Sequence, residues 1–153
     1  NFHPNIILGV ARGGCIPGII THEYLNYKGI NCEYYNILTK LYTNDNVRGN
    51  KVFIDISEHT KKKIKSSNNN ILIVDDVFDS GYTMLNLVNY LHTKLKVSID
   101  KIKIATVYYK PNNNETTLSP NFYVQEREEW IVLPHELIGL SNEEVCFKRR
   151  LIS

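Results

Sequence analysis

Short apolar runs, each stopped by a polar or glycine-rich stretch, recur along the chain. Residues 6–10 (IILGV) and 71–74 (ILIV) are unbroken apolar runs, the pattern of strands covered on both faces. Residues 102–109 (IKIATVYY) also read as a strand, 32–41 alternate weakly and are aromatic, and 51–54 suit a strand. Residues 130–133 (WIVL) read as a last short apolar strand, ending at Pro134. Between these lie helical signals. Residues 16–26 follow a turn-rich ARGGCIPG stretch, and Ser57 suits the N-cap of a short lysine-rich helix that 66–70 (SSNNN) ends. Over 82–96, Met84, Leu87, Val88, Leu91 and Leu95 fall at the spacing of an amphipathic helix. Residues 43–50 (TNDNVRGN) and the stretch from Pro111 to 114 read as exposed loops, and 142–153 is charged with no assigned structure. Strands alternating with helices predict a three-layer, mainly parallel α/β sheet flanked by helices. Ligands in such sheets bind beyond the carboxyl ends of the strands, and the most unusual polar loops here follow strands.

Composition narrows this picture without redirecting it. The 153 residues fit one domain, and 42% hydrophobic content can build a core. Eighteen basic against 16 acidic residues give a net charge of +2, which argues against an obligate nucleic-acid binder. Cys15, Cys32 and Cys146 are an odd number without metal spacing, so reduced thiols and a cytoplasmic setting are expected. No run approaches the ~18 apolar residues of a membrane span, and no leader-like segment is evident. His3, His22, His59, His92 and His135 show no metal spacing either, and Lys61 to Lys63 with Lys65 read as a solvated helix face.

The chemistry concentrates in ILIVDDVFDSGYTM, residues 71–84. Asp75 and Asp76 stand where an apolar strand emerges. A strand-end aspartate often caps a turn, and Asp79 has an ordinary reading as a turn-stabilising Asx residue. The segment after the acids points further. Asp79, Ser80, Gly81, Tyr82 and Thr83 lead into the helix, whose N-terminal amides and dipole suit an anion. Gly81 permits close backbone approach, and Ser80 and Thr83 add hydroxyls, giving a cradle for a phosphate monoester. Paired carboxylates accept hydrogen bonds from vicinal hydroxyls, so a sugar phosphate satisfies both halves. A second feature, Arg12-Gly13-Gly14, also follows a strand and precedes a helix; its glycines expose amides and its guanidinium suits bidentate phosphate binding.

ILIVDDVFDSGYT resembles the phosphoribosyl-pyrophosphate signature of type I phosphoribosyltransferases: apolar strand, two acids, two spacers, Asp, Ser or Thr, Gly, any residue, Thr. The resemblance covers about residues 5 to 137 and is similar to the 6-oxopurine branch, which acts on hypoxanthine, guanine or xanthine. It implies that Asp75 and Asp76 bind ribose hydroxyls, with Asp76 also at Mg2+. It further implies that residues 79–83 hold the 5-phosphate and that Asp79 is the general base near purine N7. Arg12 and Gly13 would bind pyrophosphate. Trp130 would stack on the base, Ile131 would contact it through its backbone, and Lys110 would donate to O6. Trp130 as the sole tryptophan also has an ordinary reading as a core aromatic. Glu136 matches an acidic position that contacts the metal-bound pyrophosphate or the purine. Residues 43–50 stand where the family carries a loop closing over the reacting centre.

The expected whole is a single domain, with a core of about residues 5–110 and a small C-terminal hood of about 111–140 over the purine. The implied activity is purine salvage: a 6-oxopurine and 5-phosphoribosyl 1-pyrophosphate give the nucleoside monophosphate and pyrophosphate. Small-molecule substrates, a homo-oligomer (dimer or tetramer), and neither membrane nor nucleic acid are the partners expected. Two alternatives stand beside it. One is a non-catalytic regulator of the same fold that senses phosphoribosyl pyrophosphate or a nucleotide and binds nucleic acid. The other is a magnesium-dependent phosphotransferase, weakened because no Lys-Ser or Lys-Thr follows Gly13-Gly14. The family's usual helix ahead of the first strand, and any counterpart to the segment after Leu137, are not matched in this sequence.

Overall fold

The computed structural model describes residues 2–44, 47–66, 69–129, 131–133, 136–137 and 139–152. Strand β1 (Ile6–Ala11) leads into helix α1 (Cys15–Tyr27), then to strands β2 (Glu33–Asn44) and β3 (Val47–Asp55). Helix α2 (Glu58–Lys65), strand β4 (Ile71–Phe78), helix α3 (Tyr82–Leu95) and strand β5 (Ile102–Tyr109) follow. Strand β6 (Phe122–Glu126) and helix α4 (Asn142–Ile152) complete the order. The sheet order is β3-β2-β1-β4-β5-β6. All neighbours run parallel except β2 and β3, which pair antiparallel.

The apolar runs of β1 and β4 are continuous because both faces of these central strands are buried. Ile6, Leu8, Val10, Ile71 and Ile73 face one cluster together with Leu87, Leu91 and Met84 of α3 and Ile64 of α2. Ile7, Leu72 and Val74 face the other cluster, where Leu25 of α1 packs. Helix α1 therefore covers one face, and α2 and α3 the other. Ser57 caps α2 by accepting the Thr60 amide at 3.1 Å, as its position predicts. Lys96 ends α3 in the left-handed region at φ 64°.

Three expectations need correction. The polar stretch 43–50 is largely strand, since β2 reaches Asn44 and β3 starts at Val47. The pairing of Leu38 with Asp55 through Tyr42 with Lys51 shows why: the ladder is made by backbone groups and does not need apolar side chains. Residues 131–133 are not a strand. The sixth strand is instead FYVQE, exposed on an edge and paired with β5, and its three-residue apolar run is too short to mark a strand. Finally, β4 does not stop at Val74 but carries the acids within it to Phe78, because β5 continues to pair beyond Asp75.

That continuation defines a crevice. Pairing of β1 with β4 ends at Gly9 opposite Val74, while β1 goes on with β2 and β4 with β5. From β1 the chain crosses to β2 on one side, and it later returns to β4 on the other. The carboxyl ends of β1 and β4 are thus the topological switch point of the sheet, where open α/β sheets receive ligands.

Core packing sets an expected contrast. Leu91→Ala, at a position with no exposed surface, should cost about 2–5 kcal/mol in urea unfolding. Ile20→Ser, on the solvent side of α1 at 64% exposure, should stay within about 0.5 kcal/mol.

Candidate functional site

Two loops meet at the crevice. After β1, the Ala11–Arg12 peptide bond is cis, and the chain turns with the Gly14 amide donating to Val10 O at 2.8 Å. This turn lies directly on the acidic end of β4. A Cβ added at Gly13 would fall 1.6 Å from Asp76 Oδ2, and one at Gly14 would fall 2.4 Å from Val74 O and 2.8 Å from Asp75 Cα. A side chain at Gly14 would run into backbone atoms, and one at Gly13 would have to displace the Asp76 carboxylate. The Arg-Gly-Gly loop and the two acids, separated by some sixty residues of sequence, are therefore one constellation.

Asp75 and Asp76 are not equivalent. Asp75 lies on the α3 face of β4 and is only 9% exposed. Burial first, and then the neighbouring Asp76 carboxylate, push its pKa well above the ordinary carboxylate range. Its Oδ1 accepts the Asp76 amide at 2.9 Å. Asp76 is half-buried, and its Oδ1 accepts the Val77 amide at 2.7 Å. These local bonds hold both carboxylates near the strand axis, facing the loop after β1.

Beyond β4, Asp79 is exposed and Gly81 turns the chain at φ 84° as the cap of α3. Gly81 is needed twice over, because a Cβ there would also meet Thr116 Oγ1 at 2.4 Å and Asn114 Oδ1 at 2.7 Å. Gly81 has no side chain with which to cap α3, and a helix N-terminus following directly on the acidic strand favours an anion through its amides and dipole. Ser80 and Thr83 flank it, both half-buried.

The segment after β5 braces this turn, a feature that the sequence reading passed over as a plain loop. The Lys110 amide donates to Phe78 O at 2.9 Å, and the Glu115 amide to Ser80 O at 3.0 Å. Tyr82 Oη donates to Glu115 Oε2 at 3.0 Å, and Asn113 Nδ2 donates to Asp79 Oδ1 at 2.8 Å. Asn114 holds the bracing loop itself, donating to Leu118 O at 2.7 Å and accepting the Thr116 amide. The available signal was the polar PNNNET stretch following Lys110 directly at a strand end.

Lys110 is 5% exposed, at the end of β5 beside the end of β4. The chain beyond β6 returns to the same place: the Arg127 amide donates to Tyr109 O at 3.0 Å, and Glu128 Oε1 accepts the Asn112 amide at 3.2 Å. Trp130 and His135 lie outside the described residues. Ile131 is half-buried, and Leu133 is buried. Glu136 closes a turn, its Oε2 accepting the Leu133 amide at 2.9 Å, while Lys148 donates to its backbone oxygen at 2.7 Å.

Among the described residues, no three or more His, Cys, Asp or Glu side chains gather as a metal cage. Two adjacent carboxylates without a cage fit magnesium, which keeps waters and is usually held by one or two carboxylates plus substrate phosphates. The described cysteines are free thiols. No described helix is long and apolar enough to cross a membrane.

The buried acid generates a stability prediction. A carboxyl whose folded pKa is raised stabilises the fold below its unfolded value, near pH 4, and that contribution is lost as pH rises through the folded value. Asp75→Asn, without metal or substrate, should therefore raise the melting temperature at pH 7. The gain should shrink toward pH 4; a gain independent of pH would contradict the burial argument.

Comparison with known proteins agrees with this geometry. The family model for the phosphoribosyl transferase domain matches residues 1–137. A solved purine phosphoribosyltransferase from Pyrococcus horikoshii is 31% identical, with a TM-score of 0.70 over 92% of this chain and 83% of that one. Xanthine-guanine phosphoribosyltransferases from Idiomarina loihiensis and Cereibacter sphaeroides are each 27% identical, spanning 86% of this chain. The matches cover 70% and 68% of those two proteins. Strand order, switch-point crevice and family match converge: the chain belongs to the phosphoribosyltransferase family.

Proposed function

We propose that the chain is a purine salvage phosphoribosyltransferase that joins a 6-oxopurine to 5-phosphoribosyl 1-pyrophosphate, releasing pyrophosphate. The observation that carries this reading is the packing of the Gly13-Gly14 turn onto Asp75 and Asp76, with the glycine-capped start of α3 just beyond the same strand end. Such a site has two anion subsites with a diol-binding pair of acids between them. Phosphoribosyl pyrophosphate has the matching order: a pyrophosphate, a ribose diol and a 5-phosphate.

In this reading the α3 amides, Ser80, Gly81, Tyr82 and Thr83 hold the 5-phosphate. Asp75 and Asp76 take the ribose hydroxyls, and the amides of Gly13 with the Arg12 guanidinium take the pyrophosphate. Magnesium, when bound, supplies positive charge to the pyrophosphate. Asp76 would hold it, and Glu136 would join only by giving up the Leu133 amide. Residues 111–140 would wall the purine side. There Lys110 would donate to O6, since an ammonium only donates. Ile131 would offer its backbone to the base edge and Trp130 its ring face.

The reaction forms the N9–C1 bond of the nucleotide as the bond from C1 to the pyrophosphate oxygen breaks. The electron pair leaves with pyrophosphate, and the N7 proton passes to Asp79. Positive charge develops on the ribose in the transition state, and the carboxylates near it favour that charge. Proton removal by a positioned base contributes about 10²–10⁴-fold. The xanthine-guanine relatives and the purine enzyme of P. horikoshii support a purine as acceptor.

The decisive assay supplies magnesium, phosphoribosyl pyrophosphate and one base at a time. Hypoxanthine, guanine or xanthine should yield its nucleoside monophosphate, and adenine should not. Conversion of adenine in preference to all three would overturn the purine assignment. Asp79→Asn should lower kcat by about 10²–10⁴-fold with KM near wild type. Lys110→Ala should raise KM for the oxopurine about 10- to 100-fold and leave KM for phosphoribosyl pyrophosphate within about twofold.

A further inference from the structure

Asp79 is exposed at the lip of the crevice, on the turn between β4 and α3. Its carboxylate nonetheless meets one donor of fixed identity, Asn113 Nδ2, at 2.8 Å across 34 residues of sequence. A carboxylate only accepts, so the amide nitrogen must face it. Asn113 is in turn fixed by its backbone. It lies in the 3-10 turn Pro111–Asn113, and its amide donates to Lys110 O at 3.2 Å. On either side, Lys110 binds Phe78 O and Glu115 binds Ser80 O, so the loop is stitched to both ends of the turn carrying Asp79. An exposed asparagine in a surface turn has no packing requirement to reach that acid.

We propose that Asn113 is a positioning residue for the phosphoribosyl transfer. By occupying Asp79 Oδ1, it would leave Oδ2 facing the purine and restrict the rotation of an otherwise exposed carboxylate. The same turn begins at Lys110, so the group that reads O6 and the group that orients the base at N7 would share one rigid element. Recognition of an oxopurine and proton removal from it would then be geometrically linked. The inference rests on the reading of Asp79 as the general base given above.

The test is a double-mutant cycle with steady-state kinetics on the full chain, using the oxopurine turned over fastest. Asn113→Ala should lower kcat about tenfold, with KM for both substrates within about twofold. In an Asp79→Asn background the same change should have no further effect, because the carboxylate it orients is gone. Asn89→Ala, at an exposed position of α3 outside the site, should match wild type and serves as the surface control. If Asn113→Ala lowers the melting temperature markedly, Asn113→Asp takes its place. Asp keeps a turn-forming side chain but substitutes a like charge for the donor, and the kcat loss should be larger. Unchanged kcat, or an equal loss with and without the Asp79 carboxylate, would overturn the positioning role while leaving the transferase reading intact. An Asp79→Asn enzyme with wild-type kcat would instead remove the general base, and the inference with it. Absence of any purine conversion would overturn both readings at their root.

Discussion

Everything at this site depends on how closely the backbone after β1 lies against the acidic end of β4. At Gly13 and Gly14 a single added methyl group would run into Asp76 Oδ2 and Val74 O. That contact places an arginine loop and two carboxylates at the one point where β1 and β4 part. The central strands are buried on both faces, so they can hold that geometry against the repulsion of the acids. The sheet supplies the rigidity, and the switch point supplies the opening.

Charge gives the site its character. Two carboxyl groups occupy adjacent positions of one strand, and burial together with the neighbouring Asp76 carboxylate disfavours the charged form of Asp75. Buried acids normally weaken a fold unless a partner compensates them. In the proposed function, ligands that bring cations and hydroxyl donors would supply that compensation. Phosphates attract the opposite elements: the amides of the Gly-Gly turn, the guanidinium of Arg12 and the glycine-capped start of α3. A substrate carrying both phosphates and a diol answers both requirements, and stability given up at Asp75 is consistent with a site shaped for binding rather than for folding.

Much of this was legible in the residues. The continuous apolar runs marked β1 and β4 because both of their faces are covered, and Met84, Leu87, Val88, Leu91 and Leu95 marked α3 because one stripe of it is. The acids, Gly81 and the Arg-Gly-Gly turn could be read because each needs an unusual residue at a fixed place. What stayed hidden was whatever leaves no pattern. Strand β6 is exposed along its length, and β2 and β3 continue into the polar stretch 43–50 by backbone pairing that leaves no mark in the sequence. The bracing role of Asn113, Glu115 and Thr116 is a matter of tertiary approach across β4 and β5, to which no spacing in the sequence corresponds.

The central claim is that the turns after β1 and β4 form one bipartite site for a single ligand. Calorimetric titration of phosphoribosyl pyrophosphate in the presence of magnesium, repeated with pyrophosphate or ribose 5-phosphate already bound, tests it most directly. The account predicts one site per chain, with each half-ligand competing against phosphoribosyl pyrophosphate. Phosphoribosyl pyrophosphate binding that is undisturbed by saturating pyrophosphate and by saturating ribose 5-phosphate would contradict it.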